Sequence, residues 1–448
     1  MKQVSINFNE KTGRVKPMHA VNNGPVYKFA IDQRITNLPA WMEAGIPYAR
    51  THDSAFYNNY GGPHIIDVNL IFRNFDADPY APESYDFACT DEYIRVVDLA
   101  KTKVFYRLGA SIEHWIKKYN TLPPKDFKKW AVICEHIIRH YTEGWADGFN
   151  YDIEYWEIWN EPDLDADDCP NKRTWGGTKA QFFDLYETAA KHLKEMFPNL
   201  KIGGPALAWN LEWAKDFLTE MKKRNAPMDF FSWHVYAYNP EYVIEKSEIV
   251  RKMLDESGYI QTESINDEWN YVRSFEGDGW IYSLKTEKKM KGAAFILSTI
   301  CAGQYSSMDM LMYYDARQCG MNGMFDTEIV SETLKGYYPF KMFNELYKLG
   351  ESSKITCDKN LFGCAAQSGD KAAFIVSHFN DDDDTPAERV KVNIEGFSCK
   401  DGVKASYYLL NEAKDLELVK EEIFFGESYS TVLESELYSG YLVMLEKC

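Results

Sequence analysis

The 448-residue sequence lacks any apolar run of about eighteen residues, the length that a helix needs to cross a bilayer. Its first residues, MKQVSINFNEKTGRV, also lack the apolar segment of a secretion signal. Positive charge is scarce, because 50 Lys and Arg face 68 Asp and Glu, a net charge of −18. Proteins that bind nucleic acid or anionic membranes carry basic patches. We therefore expect neither partner.

Cysteine motifs are also missing. The nine cysteines are odd in number and irregularly spaced, with no CxxC pair and no Cys/His cluster of the kind that binds zinc. We interpret them as reduced thiols of a cytoplasmic protein, and we predict no metal and no cofactor. The acidic run at residues 381–384 lacks the spaced ligands of a calcium loop and is interpreted as a solvated hairpin tip.

What the sequence does contain is an alternation of short apolar runs and longer amphipathic ones. Eight runs predict strands, at residues 26–31, 45–51, 102–109, 151–162, 200–206, 228–236, within 259–270, and 308–316. Helical patterns lie between most of them, which is typical of a (β/α)₈ barrel with buried strands. No GxGxxG follows the first strand, so a dinucleotide-binding sheet is a weak alternative.

The pattern changes after Gly350. Segments such as KAAFIVSHFN and SGYLVMLEK alternate apolar and polar residues, which predicts an antiparallel β-sandwich. The fold class is therefore α/β, a TIM barrel followed by a C-terminal β-sandwich. We assign residues 25–350 to the barrel and 351–448 to the sandwich, which the strand-like segment within residues 1–24 would join.

The strongest chemical signal is WEIWNEPD at residues 156–163, where the fourth strand ends. Catalytic residues of such barrels lie in the loops that follow the strands. Glu161 would be a carboxyl group among tryptophans, where desolvation raises its pKa and lets it protonate a leaving oxygen. Asn160 could donate a hydrogen bond to a substrate hydroxyl. An ordinary loop glutamate before a proline is the competing interpretation.

WNEPD resembles the motif of retaining glycoside hydrolases with (β/α)₈ barrels, especially the family 39 group of β-xylosidases and α-L-iduronidases. IPYARTHD at residues 46–53 is similar to the second strand of that family, and FFSWHVYAY at 230–238 to its sixth. The resemblance covers about residues 25–350, and it implies a nucleophilic carboxylate at the end of the seventh strand. Glu268, followed by Trp269 and Asn270, is our first choice for the nucleophile. Glu263 is the second choice and Asp267 a third candidate.

Other residues are expected to bind the substrate. His234 and Tyr236 share one face of their strand, as Arg50 and His52 do, because side chains alternate along a strand. Tyr236 would bond the nucleophile, His234 the sugar, and Arg50 a carboxylate. Three more residues complete the set. Asp53 is expected to contact a sugar hydroxyl or to cap a loop, and Trp115 to stack on a sugar ring or to pack against the protein. Tyr314 stands where the family usually has tryptophan.

The resemblance implies a retaining exo-glycosidase that cleaves short oligosaccharides by double displacement, with β-xylosidase activity as the default. α-L-Arabinopyranosidase, β-galactosidase and α-L-iduronidase activities stay open. The last ranks lower, because Arg50, Arg107 and Arg317 are the only basic residues we place at the mouth. A carbohydrate-binding barrel without catalysis is the alternative class. An aldolase is disfavoured because Lys103 and Lys201 lie at strand starts, and homo-oligomerisation is left open.

Overall fold

A computed structural model describes residues 1–27, 36–53 and 64–448. The described chain forms a closed barrel of eight parallel strands and a nine-stranded sheet. The β1 strand, Lys2–Arg14, belongs to the sheet. The barrel strands are β2 Ala20–Asn22, β3 Tyr48–Arg50, β4 Lys103–Leu108, β5 Tyr155–Ile158, β6 Lys201–Leu207, β7 Phe230–Ala237, β8 Glu263–Tyr271 and β9 Met310–Tyr313. They pair in chain order, and β9 closes the barrel on β2. The predicted barrel is confirmed.

The first barrel strand is not the one that the pattern predicted. The predicted strand at 26–31 falls largely in residues 28–35, outside the described part, whereas Ala20–Asn22 pairs with β3 and β9. This strand is only three residues long and is followed by Asn23 with φ 65°, so it carries little of the apolar pattern of a buried strand. The barrel therefore begins before residue 25. The segment at residues 58–79, whose Tyr-Gly-Gly run and many aspartates predict a loop that shapes the pocket entrance, also lies partly outside the described residues, which resume at His64.

Helices surround the barrel and bury their apolar faces on it. The α4 face that the periodicity predicted, with Trp130, Ile133 and Ile137, is buried, and Asp126 caps this helix by accepting from the N–H groups of residues 128 and 129. The helices are α1 Leu38–Ala44, α2 Val68–Ile71, α3 Ala88–Leu99, α4 Phe127–Thr142, α5 Lys179–Met196, α6 Leu211–Lys223, α7 Pro240–Glu256, α8 Gly277–Glu287, α9 Met290–Gln304 and α10 Tyr338–Leu349. Neither α2 nor α8 was predicted. Among the described helices, none is long and apolar enough to span a membrane.

The C-terminal domain is the predicted β-sandwich. Its further strands are β10 Glu351–Cys357, β11 Leu361–Ser368, β12 Lys371–His378, β13 Glu388–Glu395, β14 Val403–Leu410, β15 Asp415–Phe424, β16 Ser428–Ser435 and β17 Ser439–Lys447. Their order is β15-β14-β17-β12-β11-β10-β1-β13-β16, antiparallel except where β1 meets β13. The sheet curls around its own apolar core, so that Phe424 of one edge strand stacks on Tyr429 of the other, with ring centroids 3.9 Å apart.

The two domains share an apolar interface. Helices α9 and α10 pack against β11, β12 and β17, and the barrel's core cluster continues into the sheet through Ile375 and Leu442. At its centre the Sγ atoms of Cys301 and Cys364 lie 3.3 Å apart. The sheet is thus fixed against the last barrel helices, on the side where β8 and β9 lie.

Candidate active site

The carboxyl ends of the barrel strands bring three ionisable side chains together. Nδ1 of His234 lies 2.8 Å from Oε1 of Glu161 and 3.5 Å from Oε2 of Glu268. One ligand atom from each of the three residues lies within 4.8 Å of the other two. His234 and Glu268 are 2% and 7% exposed, so the cluster is largely removed from solvent. The residues predicted as acid and first-choice nucleophile therefore face each other across one histidine.

The loop after β5 holds Glu161 in an unusual conformation. Trp159 and Glu161 have φ values of 75° and 47°, in the left-handed region that non-glycine residues rarely adopt. The backbone N–H of Glu161 donates to Ala206 at 2.9 Å, and the hydroxyl of Thr174 donates to the carbonyl of Glu161 at 2.5 Å. Strained conformations of this kind persist where neighbours over-determine them, and they cluster at functional sites.

Arg50 organises the carboxylates from the centre of the barrel. Its guanidinium is fully buried and lies 2.7 Å from Glu157, 2.9 Å from Asp267 and 3.3 Å from Glu268. Nη2 also donates to Oδ1 of Asn160 at 2.7 Å. These opposite charges raise the pKa of Arg50, so it stays a cation at any working pH. Arg50 is therefore shared among three acids and does not serve the candidate nucleophile alone.

Glu157 and Asp267 form a buried pair of acids beneath the mouth. The pKa of Glu157 is raised to about 8, because burial and the neighbouring charge of Asp267 together outweigh the opposing charge of Arg50. The pKa of Asp267 is lowered: burial acts against this, but the charges of Arg50 and His234 outweigh it. Oε1 of Glu157 also accepts from the hydroxyl of Ser232 at 2.6 Å. This buried site therefore favours the protonated form of Glu157 and the ionised form of Asp267.

The protonation of Glu268 and His234 is set by the same competition between burial and neighbouring charges. The pKa of Glu268 is raised to about 7, because burial and the charge of Glu161 outweigh His234, Arg50 and the hydroxyl of Tyr236, which favour the ionised form. The pKa of His234 is raised well above its usual value because the charges of Glu268 and Asp267 outweigh the cost of burial. His234 is thus a buried imidazolium between two carboxylates.

A β-bulge explains why both Asp267 and Glu268 point inward. Along β7 and β8, Trp233 pairs with Asn266 but His234 pairs with Glu268, so Asp267 is an extra residue on β8. In a regular strand consecutive side chains face opposite sides, whereas a bulge can turn two to one side. Asp267 reaches Arg50, and Glu268 accepts from the hydroxyl of Tyr236 at 2.5 Å. The polar sequence of this strand is therefore compatible with burial.

Glu263, our second-choice nucleophile, lies at the wrong end of the barrel. It begins β8, and its carboxylate accepts from Nζ of Lys201 at 2.6 Å and from the hydroxyl of Tyr155 at 2.9 Å. Both partners lie at strand starts, so Glu263 belongs to the amino-terminal face. The Thr-Glu pair was misleading because the apolar run before it, Tyr259–Ile260, is loop and not strand.

Of the other predicted site residues, His52, Asp53 and Tyr314 lie at the buried mouth, whereas Trp115 is exposed. His52 is 2% exposed with its ring 6.0 Å from that of Tyr314, and among the described residues its Nδ1 has no hydrogen-bond partner. Burial, with the charge of Arg50 next, lowers its pKa well below the usual value, so it is neutral. Asp53 pairs with Arg317 at 2.9 Å. Trp115 instead lies on the loop after β4 and is 81% exposed.

Several site residues escaped the sequence analysis. Glu157 could have been recognised from the sequence, because an acid inside an apolar strand is rare unless its side chain is paired. Asn22 lay in the missed first strand, and its Oδ1 accepts from Arg50 at 3.1 Å. Asp163 accepts from the N–H groups of Ala208 and Asn210, both at 2.8 Å, and burial raises its pKa to about 7. No local pattern could have indicated that this aspartate fastens the β6 loop beside Glu161.

The site also offers a set of metal-ligand types. Glu161, His234 and Glu268 are the one group of this kind found among the described residues. Arg50 already lies 3.3 Å from Glu268, and His234 is held as a cation by the neighbouring acids. A metal would have to displace the proton of this imidazole, and its charge would be repelled by Arg50. The residues therefore fit a proton-transfer site better than a metal site.

A (β/α)₈ barrel with paired carboxylates at its carboxyl end is an arrangement that glycosidases use. The family model "Glycosyl hydrolases family 39" matches residues 45–314, and the chain belongs to this family. The sequence-based resemblance is thereby confirmed.

Relatives agree with this assignment. The chain is 29% identical over 180 residues to a β-xylosidase of Geobacillus stearothermophilus, which is 37% of this chain and 33% of that protein. It is 28% identical over 252 residues to a β-xylosidase of Caldicellulosiruptor saccharolyticus, 52% of this chain and 46% of that one. The chain thus spans less than half the length of each of these two β-xylosidases. A glucosidase structure from Croceicoccus marinus superposes with a TM-score of 0.79 at 20% identity, covering 100% and 99% of the two chains, and shares the fold.

Proposed function

We propose that this protein is a retaining β-xylosidase-type exo-glycosidase that acts by double displacement. The observation that carries the proposal is the approach of Glu161 and Glu268 to within 4.8 Å, measured between carboxylate oxygens. Retaining enzymes hold their carboxyl groups about 5–5.5 Å apart, whereas inverting enzymes need about 6.5–9.5 Å to admit a water molecule. The spacing supports direct attack by a carboxylate on the sugar.

In the first step, Oε of ionised Glu268 attacks the anomeric carbon while Glu161 delivers a proton to the departing oxygen. The bond between the anomeric carbon and that oxygen breaks, and a covalent glycosyl-enzyme forms. In the second step Glu161, now ionised, takes a proton from water, whose oxygen attacks the same carbon and releases Glu268. His234 contacts both carboxylates, so it stabilises whichever of the two is ionised.

The surrounding groups favour a neutral sugar. Among the described residues, Arg50, Arg107 and Arg317 lie near the mouth, and each is already paired with an acid, namely Asp267, Asp67 and Asp53 respectively. A uronic acid would need an additional cation for its carboxylate. Oδ1 of Asn160 is occupied by Arg50, which leaves its amide N–H₂ as the donor for the sugar 2-hydroxyl. Neutral His52 can accept from or donate to another hydroxyl.

A panel of aryl glycosides tests the proposal: β-D-xyloside, α-L-arabinopyranoside, β-D-galactoside and α-L-iduronide. We expect turnover of the β-xyloside and its loss, by at least a thousandfold, in Glu268→Gly. NMR of the first-formed product should show the same anomeric configuration as the substrate. With azide, Glu268→Gly should form the inverted glycosyl azide and Glu161→Ala the retained one. Release of monosaccharide units from one end of an oligosaccharide would support exo-action.

Glu263→Gln is the matched control, because it changes a glutamate of the same strand at the opposite face of the barrel. We expect it to retain activity near that of the wild type. Inverted product, or loss of activity in Glu263→Gln with full activity in Glu268→Gly, would overturn the assignment. If folded protein cleaves none of the four glycosides but sugars raise its Tm, the barrel binds carbohydrate without cleaving it.

A further inference from the structure

The acidic segment Asp381–Asp384 of the C-terminal domain contacts the barrel, contrary to the expected solvated hairpin tip. Asp381 accepts from the hydroxyl of Tyr271 at 2.5 Å and from Nε of Arg273 at 2.8 Å. Nζ of Lys291, on α9, lies 3.1 Å from its Oδ1 and donates to its backbone carbonyl at 2.6 Å. One aspartate of the second domain thus binds two barrel elements at once.

Asp383 extends the same contact. Its carboxylate accepts from Nζ of Lys291 at 2.7 Å and from the hydroxyl of Tyr438 at 2.5 Å. The side chain of Lys291 is 8% exposed and that of Asp381 is 17% exposed. Exposed ion pairs contribute little because water screens them, but this pair is mostly shielded and is supported by tyrosine hydroxyls. The contact is therefore specific and not a chance surface pairing.

The bound barrel residues lead directly to the candidate nucleophile. Tyr271 is the last residue of β8, three positions after Glu268, and Arg273 lies two positions further along the chain. Next comes Phe275, whose ring packs edge-on against Tyr236 with centroids 5.1 Å apart and stacks on Trp280 at 5.6 Å. Tyr236 in turn donates its hydroxyl to Glu268. A continuous chain of contacts joins Asp381 to the reacting carboxylate.

We propose that Asp381 is a positioning residue for the candidate active site. By holding Tyr271 and Arg273, it fixes the segment after β8 so that Phe275 keeps Tyr236 against Glu268. The C-terminal domain then serves the barrel as part of the support of the nucleophile. This inference rests on the proposed function only in its kinetic consequence, because the contacts themselves are independent of what the site cleaves.

Other charges around Glu268 do not touch Asp381. Glu268 is faced by His234 and Tyr236 on β7, by Arg50 on β3, by Glu161 after β5, and by Asp267 and Tyr314. Asp381 is faced by Tyr271, Arg273 and Lys291, and Tyr282 lies beside the two cations. Among the described residues, the contacts that connect Asp381 to Glu268 run through the segment after β8, Phe275 and Tyr236. A weakened hydrogen bond from Tyr236 disfavours ionised Glu268, so the acid limb of the pH profile should move to higher pH.

The experiment compares Asp381→Asn with Asp384→Asn, which removes one charge from an exposed residue of the same segment. Hydrogen exchange, followed by mass spectrometry on the whole chain, should show faster exchange at residues 271–281 and 234–238 in Asp381→Asn only. On the β-xyloside, kcat/KM at pH 6 should fall about three- to tenfold, with a smaller loss at pH 8. Phe275→Leu should reproduce the pH shift, and Asp381→Asn should add nothing to it.

Unchanged exchange in Asp381→Asn, or the same changes in Asp384→Asn, would overturn the inference. So would an equal loss of kcat/KM at every pH, which indicates general loosening and not loss of the Tyr236 contact. If the wild type cleaves no glycoside, the proposed function fails, and the exchange measurement alone decides whether Asp381 orders the segment and Tyr236. Should Asp381→Asn fold poorly, Arg273→Gln tests the same contact from the barrel side.

Discussion

At the scale of single residues, the candidate site depends on hydrogen bonds that decide which carboxylate is ionised. The hydroxyl of Tyr236 donates to Oε1 of Glu268 and favours its charged form. The pKa of Glu268 is already raised to about 7 by burial. In the proposed mechanism, the fraction of Glu268 able to attack therefore decreases as the pH falls below about 7, and any group that favours the ionised form moves this limit downward.

Tyr236→Phe should shift the acid limb of kcat/KM toward higher pH. The variant keeps the ring that packs on Phe275 but loses the donor, so the pKa of Glu268 rises further. The expected shift is about one pH unit, with most activity recovered at pH 8 to 9. A pH series on the best aryl glycoside measures it. An acid limb unchanged in Tyr236→Phe would show that the hydroxyl does not control the ionisation of Glu268.

A second prediction at this scale concerns the contribution of Arg50 to the free energy of unfolding. Arg50→Met would leave Asp267 and Glu268 buried without their shared cation, and breaking a buried pair costs about 3–5 kcal/mol. The control is Arg389→Met, which breaks a pair with Glu434 whose side chains are 65% and 72% exposed, worth about 0–1 kcal/mol. Urea unfolding of both variants measures the difference. Equal losses would show that the buried network contributes no more than a surface pair.

At the scale of elements, periodicity predicted the barrel because buried strands and amphipathic helices have different periods. It located β7 with His234 and Tyr236 on one face, and it indicated the end of β5 with Glu161. It failed at β2, which is too short to show a pattern, and at α8, whose apolar face is weak. Local sequence reports local geometry, so short or weakly patterned elements escape it.

The bulge in β8 shows a second limit of prediction from the local sequence pattern. A strand that keeps strict alternation would not turn Asp267 and Glu268 to the same side, and nothing in the local pattern reveals an extra residue. The choice of Glu268 came from its Trp-Asn neighbours and not from geometry. Glu263 lies five residues earlier, about 16 Å along a strand, which separates the two faces of the barrel. The pairing of β8 with β7 and β9 decides which glutamate is at the mouth.

At the scale of the whole molecule, the partners of a residue come from the distant parts of the chain that the fold brings together. The composition of the acidic segment predicted solvation and could not reveal its partners Arg273 and Lys291, which lie ninety or more positions away in sequence from Asp381–Asp384. The same is true of the apolar interface, where Ile375 and Leu442 complete a core that the barrel helices begin. Two domains joined by a continuous apolar interface are expected to unfold together. Calorimetry should therefore show a single transition.

Gly440 tests this coupling directly. It lies in β17, and a Cβ added there would come within 2.4 Å of Cδ2 of Leu297 on α9 and 3.4 Å of Cε of Met342 on α10. Overpacking of this kind costs about 1–3 kcal/mol, so Gly440→Ala should lower the single Tm by several degrees. Gly320→Ala is the control, since its nearest contact is an ordinary 3.8 Å to Leu284. Because the strain falls on the interface, a transition that splits in Gly440→Ala would mean that the domains are stable separately. An unchanged Tm would mean that Leu297 yields without cost and that the interface is looser than its burial indicates.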